Sequence, residues 1–136
     1  METLGSLVDK LSIVKLKQFH TDDLNKQGNL GTQENLLIDE INNYICNPPK
    51  NLVIPANKVY SGVKNFALQG TIGELIEKLI IINCDLWHAQ EKVYDFVNVP
   101  VDKKDIVIQD IAALNIQRNH CMEAIDKEFE KICIQK

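Results

Sequence analysis

One stretch of the chain occurs twice, and that repetition restricts the possible folds more than any other feature. Thr3-Leu-Gly-Ser-Leu-Val-Asp-Lys-Leu-Ser-Ile-Val-Lys-Leu-Lys-Gln-Phe-His20 returns 68 residues later, without a gap, as Thr71-Ile-Gly-Glu-Leu-Ile-Glu-Lys-Leu-Ile-Ile-Ile-Asn-Cys-Asp-Leu-Trp-His88. Thr, Gly, Leu, Lys, Leu, Ile and His recur identically. Leu4/Ile72, Val8/Ile76, Asp9/Glu77, Val14/Ile82 and Phe19/Trp87 recur in kind. A second, weaker match aligns Gln33-Glu-Asn-Leu-Leu-Ile-Asp-Glu-Ile41 with Gln117-Arg-Asn-His-Cys-Met-Glu-Ala-Ile125. The copied unit is therefore a pair of segments.

Each repeated segment reads as a helix. At about 100° per residue, Leu4, Leu7, Val8, Leu11, Val14 and Phe19 share one face. The spacing predicts a first helix over 3–25, with Thr3 as N-cap. Gly28 and the Asn29-Leu-Gly31 segment are expected to end it and turn the chain. A second helix follows over 31–46, with Leu37, Ile38, Ile41, Tyr44 and Ile45 at helical spacing, and Asn47-Pro-Pro49 stops it. Thr71-x-x-Glu74 fits a capping box and opens a third helix that runs to about Asn98. Asp102 is the expected cap of a fourth helix over 103–133. Its seam reads Ile108, Ile111, Asn115, Arg118, Met122, Ile125, Phe129 and Ile132. The expected architecture is all-α: one domain over 1–136, an up-down four-helix bundle of two duplicated helical hairpins (3–46 and 71–134) joined by residues 47–70.

At 136 residues with 45% hydrophobic content, the chain is long enough to bury one core. A net charge of -4 disfavours wholesale nucleic-acid binding. No apolar run reaches the roughly 20 residues that span a bilayer, and the N-terminus lacks a secretory pattern. Cys46, Cys84, Cys121 and Cys133 are scattered, which predicts reduced thiols and a cytoplasmic setting.

Several residues could carry chemistry. Asp9 and His20 lie about 20° apart around one helix and about 16 Å apart along it, with Ile13 and Leu16 between them. Glu77, Ile81, Cys84 and His88 repeat that stripe. It is a second face wanting cover, either as a homodimer interface or as one wall of a binding groove. Acid and histidine stand too far apart to act as a pair, and no His-x-x-x-His or Glu-x-x-His spacing supports a metal. No cofactor is expected: Gly5 and Gly73 follow helix caps and do not form a phosphate loop.

Arg118 is the only arginine beside fourteen lysines and occupies a seam position one turn after Asn115. An inward guanidinium needs a partner. Glu34, its counterpart in the duplication, is the first candidate, with Asp9 and Glu77 behind it. A structural ion pair is the favoured reading. The sharper one is a site for an anionic, nucleotide-like small molecule, with Lys50, Lys58 and Lys64 adding charge and Tyr60 or Phe66 stacking on a ring. His120-Cys121 is a weak thiol-nucleophile candidate, because adjacent helical residues point about 100° apart.

Thr71-Ile-Gly-Glu-Leu-Ile-Glu-Lys-Leu…Trp87-His88, with the later Leu114-Asn-x-Gln-Arg-Asn119…Ile125-Asp126, resembles a family of small helical bacterial proteins catalogued as a domain of unknown function, some encoded near surface-polysaccharide genes. The resemblance covers Thr71–Glu91 and Leu114–Asp126, about a quarter of the chain. Ala89-Gln90-Glu91 departs from the family's Leu-Glu-Asp. The resemblance implies an all-helical fold, marks His88, Asn115, Arg118 and Asn119, and brings no activity. The residues together predict a non-catalytic binding module that associates with itself. The alternative is a protein that sequesters or senses an anionic small molecule through Arg118, Asn115, Asn119, His88, His20, Lys50, Lys58, Lys64 and Tyr60.

Overall fold

Threonine caps open both copies of the repeat. A computed structural model of the chain describes residues 2–49 and 69–134. Within them lie four α-helices, α1 (Leu4–His20), α2 (Leu24–Cys46), α3 (Ile72–Tyr94) and α4 (Val101–Ile134), with a 3₁₀ turn over Phe96–Asn98 and no strand. The Thr3 hydroxyl accepts from the Ser6 amide at 3.2 Å. At Thr71 the capping box is complete: its hydroxyl accepts from the Glu74 amide at 3.3 Å, and Glu74 Oε1 accepts from the Thr71 amide at 3.1 Å.

The first two helix boundaries differ from the expected ones. Helix α1 stops at His20, and Gly28 and Gly31 lie inside α2. A glycine inside a helix costs about 1 kcal/mol against alanine, which is too little to break one that is otherwise well started. Here the start is strong. Asp23 Oδ1 accepts from the amides of Asn25 at 2.9 Å and Lys26 at 3.2 Å. The Gln27 side-chain amide donates to the carbonyls of Gln18 at 2.7 Å and Thr21 at 2.8 Å, satisfying acceptors at the end of α1. Thr21-Asp-Asp23 is thus the turn, and the glycines are not. Likewise α4 begins at Val101, directly after Pro100, so Asp102 sits in its first turn and is not its cap.

The core joins three helices. Leu4 and Val8 of α1, Leu75, Leu79, Ile82 and Leu86 of α3, and Cys121, Ile125 and Phe129 of α4 form one buried cluster. Fully burying a leucine or isoleucine contributes about 1.5–3 kcal/mol, so this cluster dominates stability. The α4 seam departs from the expected one in places: Val107 and Cys121 are buried, while Ile108 and Ile132 are exposed. Helix α2 leans chiefly on α1, and Leu30 is its one buried residue. Its far end reaches the core through Tyr44, whose ring lies 5.5 Å from that of Phe129.

The two copies of the repeat meet. Val8, Ser12, Leu16 and His20 of α1 line a single groove with Ile76, Ile80, Cys84 and His88 of α3. Each α1 residue in that set pairs with the α3 residue 68 positions later. The groove is apolar, holds about 570 Å³, and has the 84% exposed Phe19 at its margin.

Helix α1 also crosses α4 closely. The Gly5 amide donates to Asp126 Oδ1 at 2.7 Å. Burial pushes the Asp126 carboxyl above its ordinary value, more than the bonds from Gly5 and Thr3 pull it down. A carboxyl raised in the fold holds its proton more tightly there than in the unfolded chain. The fold therefore gains as pH falls towards the unfolded value and loses that gain as pH rises through the folded one. Asp126→Asn keeps an acceptor for Gly5 and never ionises. Its melting temperature relative to the natural chain is expected to be higher at about pH 7 than at about pH 4. A difference independent of pH would refute the assignment.

Candidate functional site

Three polar side chains are buried between α1 and α3: Asp9 is 4% exposed, Ser12 7% and Asn83 2%. Burying such groups is costly unless they bond to one another or to a partner. Arg118 of α4 supplies most of what Asp9 needs. Its Nε donates to Asp9 Oδ1 at 2.8 Å, and its Nη2 donates to Asp9 Oδ2 in a forked pair. Asn83 Nδ2 donates to Asp9 Oδ1 at 3.0 Å and to Ser12 Oγ at 3.2 Å. A carboxylate only accepts, so it fixes which end of the Asn83 amide faces it. Asn83 Oδ1, hidden from solvent, has no hydrogen-bond partner among the described residues. The bond to Asp9 holds the Arg118 guanidinium above its ordinary value, against the opposing effect of burial.

This network makes the structural ion pair and selects Asp9 from its three candidate partners. Glu34 instead accepts from Lys15 at 3.1 Å and from Gln18 at 2.7 Å. The two acids of the repeat also part ways. Asp9 turns inward to Arg118, while Glu77 stays exposed, because no second arginine exists to draw it in.

Above the network lies a cleft of about 530 Å³ between α1, α3 and α4. Asn83 and Arg118 line it, with Lys17, His20, Trp87 and Tyr94 around them. The His20 ring stacks on Trp87 at 4.7 Å with 10° between planes. His88 meets His20 edge-on at 6.3 Å and lies 3.7 Å from Glu91. The repeated histidines thus converge, but on the groove; only His20 also lines the cleft.

Of the residues expected to bind a ligand, Arg118 and His20 share the cleft, and His88 is beside it. Asn115 and Asn119 are half-buried on α4 and are not among the cleft's lining residues. Lys50, Lys58, Lys64 and Tyr60 lie outside the described residues. Asn83, Ser12 and Lys17 were not legible as site residues. Asn83 carried a signal: it is the lone polar residue closing the run Ile80-Ile81-Ile82, on the side of the helix that Leu79 and Leu86 bury.

Cys121 does not suit nucleophilic chemistry. Its thiol donates to the Leu75 carbonyl at 3.1 Å, and burial pushes it up to about 11. A thiol so placed stays protonated near neutral pH. Among the described residues, no three His, Cys, Asp or Glu side chains gather so as to hold a metal ion, and no helix is long and apolar enough to cross a membrane. Comparison with protein-family models, curated proteins and solved structures finds no match.

Proposed function

We propose that this chain is a binding module built from a duplicated helical hairpin, and that it pairs with a second copy of itself through the groove between α1 and α3. Several contacts support an up-down course for the helices. Gly5 meets Asp126 whereas Asp9 meets Arg118, so α4 descends as α1 rises. Lys15 and Gln18 meet Glu34 whereas Gln27 meets Gln18, so α2 also returns along α1. The groove-lining residues spaced by the repeat offset support a common origin for α1 and α3.

One observation carries the pairing. The same face presents both a hole and a knob: the apolar groove of about 570 Å³, and Phe19, 84% exposed beside it. A two-fold interface requires a self-complementary patch. A two-fold axis across this face seats each Phe19 in the partner's groove and closes the assembly at two chains. Ile80, 45% exposed, adds to the apolar lining of the groove.

Light scattering on the eluting protein is expected to give twice the mass of the chain. Phe19→Glu is expected to halve it. The side chain is mostly exposed, so the melting curve of the diluted variant should match that of the natural monomer. A monomer at high concentration for the natural chain removes the proposal, as does a Phe19→Glu dimer as tight as the original.

A further inference from the structure

We propose that the cleft over Arg118 binds a small molecule in which a flat aromatic ring carries one anionic group. This cleft opens beside the α1–α3 groove, sharing Leu16 and His20 with it, and the proposal does not rest on the pairing of two copies. Its volume of about 530 Å³ lies within the ordinary range for small-molecule sites, roughly 300–1,000 Å³. Its wall is partly aromatic: His20 and Trp87 both line it and stack nearly parallel, which suits a ring-bearing ligand.

The charges select the rest of the ligand. Arg118, which lines the cleft, commits Nε and Nη2 to Asp9, so the Nη1 donors stand outside that pair on a guanidinium whose charge is already balanced. Lys17 makes no ion pair among the described residues. It lines this cleft and two neighbouring ones of about 490 and 380 Å³. One uncompensated cation suits one anionic group. The carboxylate of Glu91, also in the lining, opposes a di- or triphosphate. Asn83 lines the cleft, and its Oδ1, without a hydrogen-bond partner among the described residues, suits a ring N–H or O–H donor. Two kinds of molecule share this chemistry: nucleoside monophosphates and aromatic carboxylates.

Trp87 is the only tryptophan in the chain, so its fluorescence reports on the cleft directly. The full chain is titrated with AMP and UMP in one arm and with benzoate and 4-hydroxybenzoate in the other. Adenosine supplies a ring without charge, and inorganic phosphate a charge without a ring. Saturable quenching is expected in one arm and identifies the source. Adenosine and phosphate are expected to bind at least about tenfold more weakly, the loss of one charge-assisted hydrogen bond. Lys17→Gln, a change on an exposed side chain, is expected to weaken the quenching ligand about tenfold and leave the melting temperature unchanged. Absence of saturable quenching in both arms overturns the proposal. So does adenosine or phosphate binding as well as the charged ring, or unaltered affinity in Lys17→Gln.

Discussion

Arg118→Ala is expected to be among the most destabilising single changes in this chain. It removes the forked partner of a carboxylate that is 4% exposed. Removing one member of a buried ion pair costs about 3–5 kcal/mol, because the survivor is left charged and unpaired. The Arg118 side chain is itself 29% exposed, so water can reach part of the vacated space. The lower end of that range is therefore expected. Even so, it is a large part of the roughly 5–15 kcal/mol that holds an average domain together. Arg118→Lys should recover only part of the loss, since an ammonium cannot supply two parallel donors to one carboxylate.

A double-mutant cycle separates the pair from its surroundings. Asp9→Ala alone strands the guanidinium and deprives Asn83 Nδ2 of one of its two acceptors. Asp9→Ala with Arg118→Ala removes both charges at once. The double variant is expected to be less destabilised than the sum of the singles, by about 0.5–3 kcal/mol. Denaturant midpoints for the four proteins supply the number. Additive losses would mean that Asp9 and Arg118 do not act on each other in solution.

The sequence made the helices legible, and with them the two threonine caps and most of the core. Period and capping chemistry are local, so Leu4, Val8, Ile125 and Phe129 could be placed on buried faces from spacing alone. The turn at Thr21-Asp-Asp23 could not. Two glycines a few residues later looked like the better break, and the decisive contact was a glutamine side chain reaching back across the turn. Arg118 was recognisable as an inward charge because it is unique and falls on a seam. Its partner was not, since Asp9, Glu34 and Glu77 each satisfied the sequence argument. Only the crossing of α1 over α4 picks Asp9. The second face of the repeat helices is visible as a stripe whose Leu16, His20, Cys84 and His88 do line the groove, while its other half falls one residue off. The groove uses Val8, Ser12, Ile76 and Ile80, not Asp9, Ile13, Glu77 and Ile81. A stripe on one helix does not say how that helix is rotated against its neighbour.

Gly5→Ala and Gly73→Ala, the same change at equivalent places in the two copies, are expected to shift stability in opposite directions. A methyl group on Gly5 would overlap the Met122 carbonyl oxygen and stand 3.0 Å from the Met122 Cα and carbonyl carbon. All three are backbone atoms of α4, so no side chain can rotate away. Helix α1 would have to retreat, stretching the 2.7 Å bond from the Gly5 amide to Asp126. Overpacking of this kind costs about 1–3 kcal/mol and sometimes more. The gain of about 1 kcal/mol from replacing glycine in a helix offsets only part of that. At Gly73 a methyl group meets nothing within 4 Å. Only the helix-propensity gain remains there, up to about 1 kcal/mol and reduced by the position near the end of α3. Thermal melts of the two variants should therefore fall on either side of the natural chain. Losses of similar size at both sites would mean that α3 approaches a neighbour as closely as α1 approaches α4. Gains at both would mean that α1 and α4 are further apart than the bond between Gly5 and Asp126 allows. The opposite signs follow from unequal surroundings at matched positions of the repeat: Gly5 lies where α1 crosses α4, and Gly73 has open space around it.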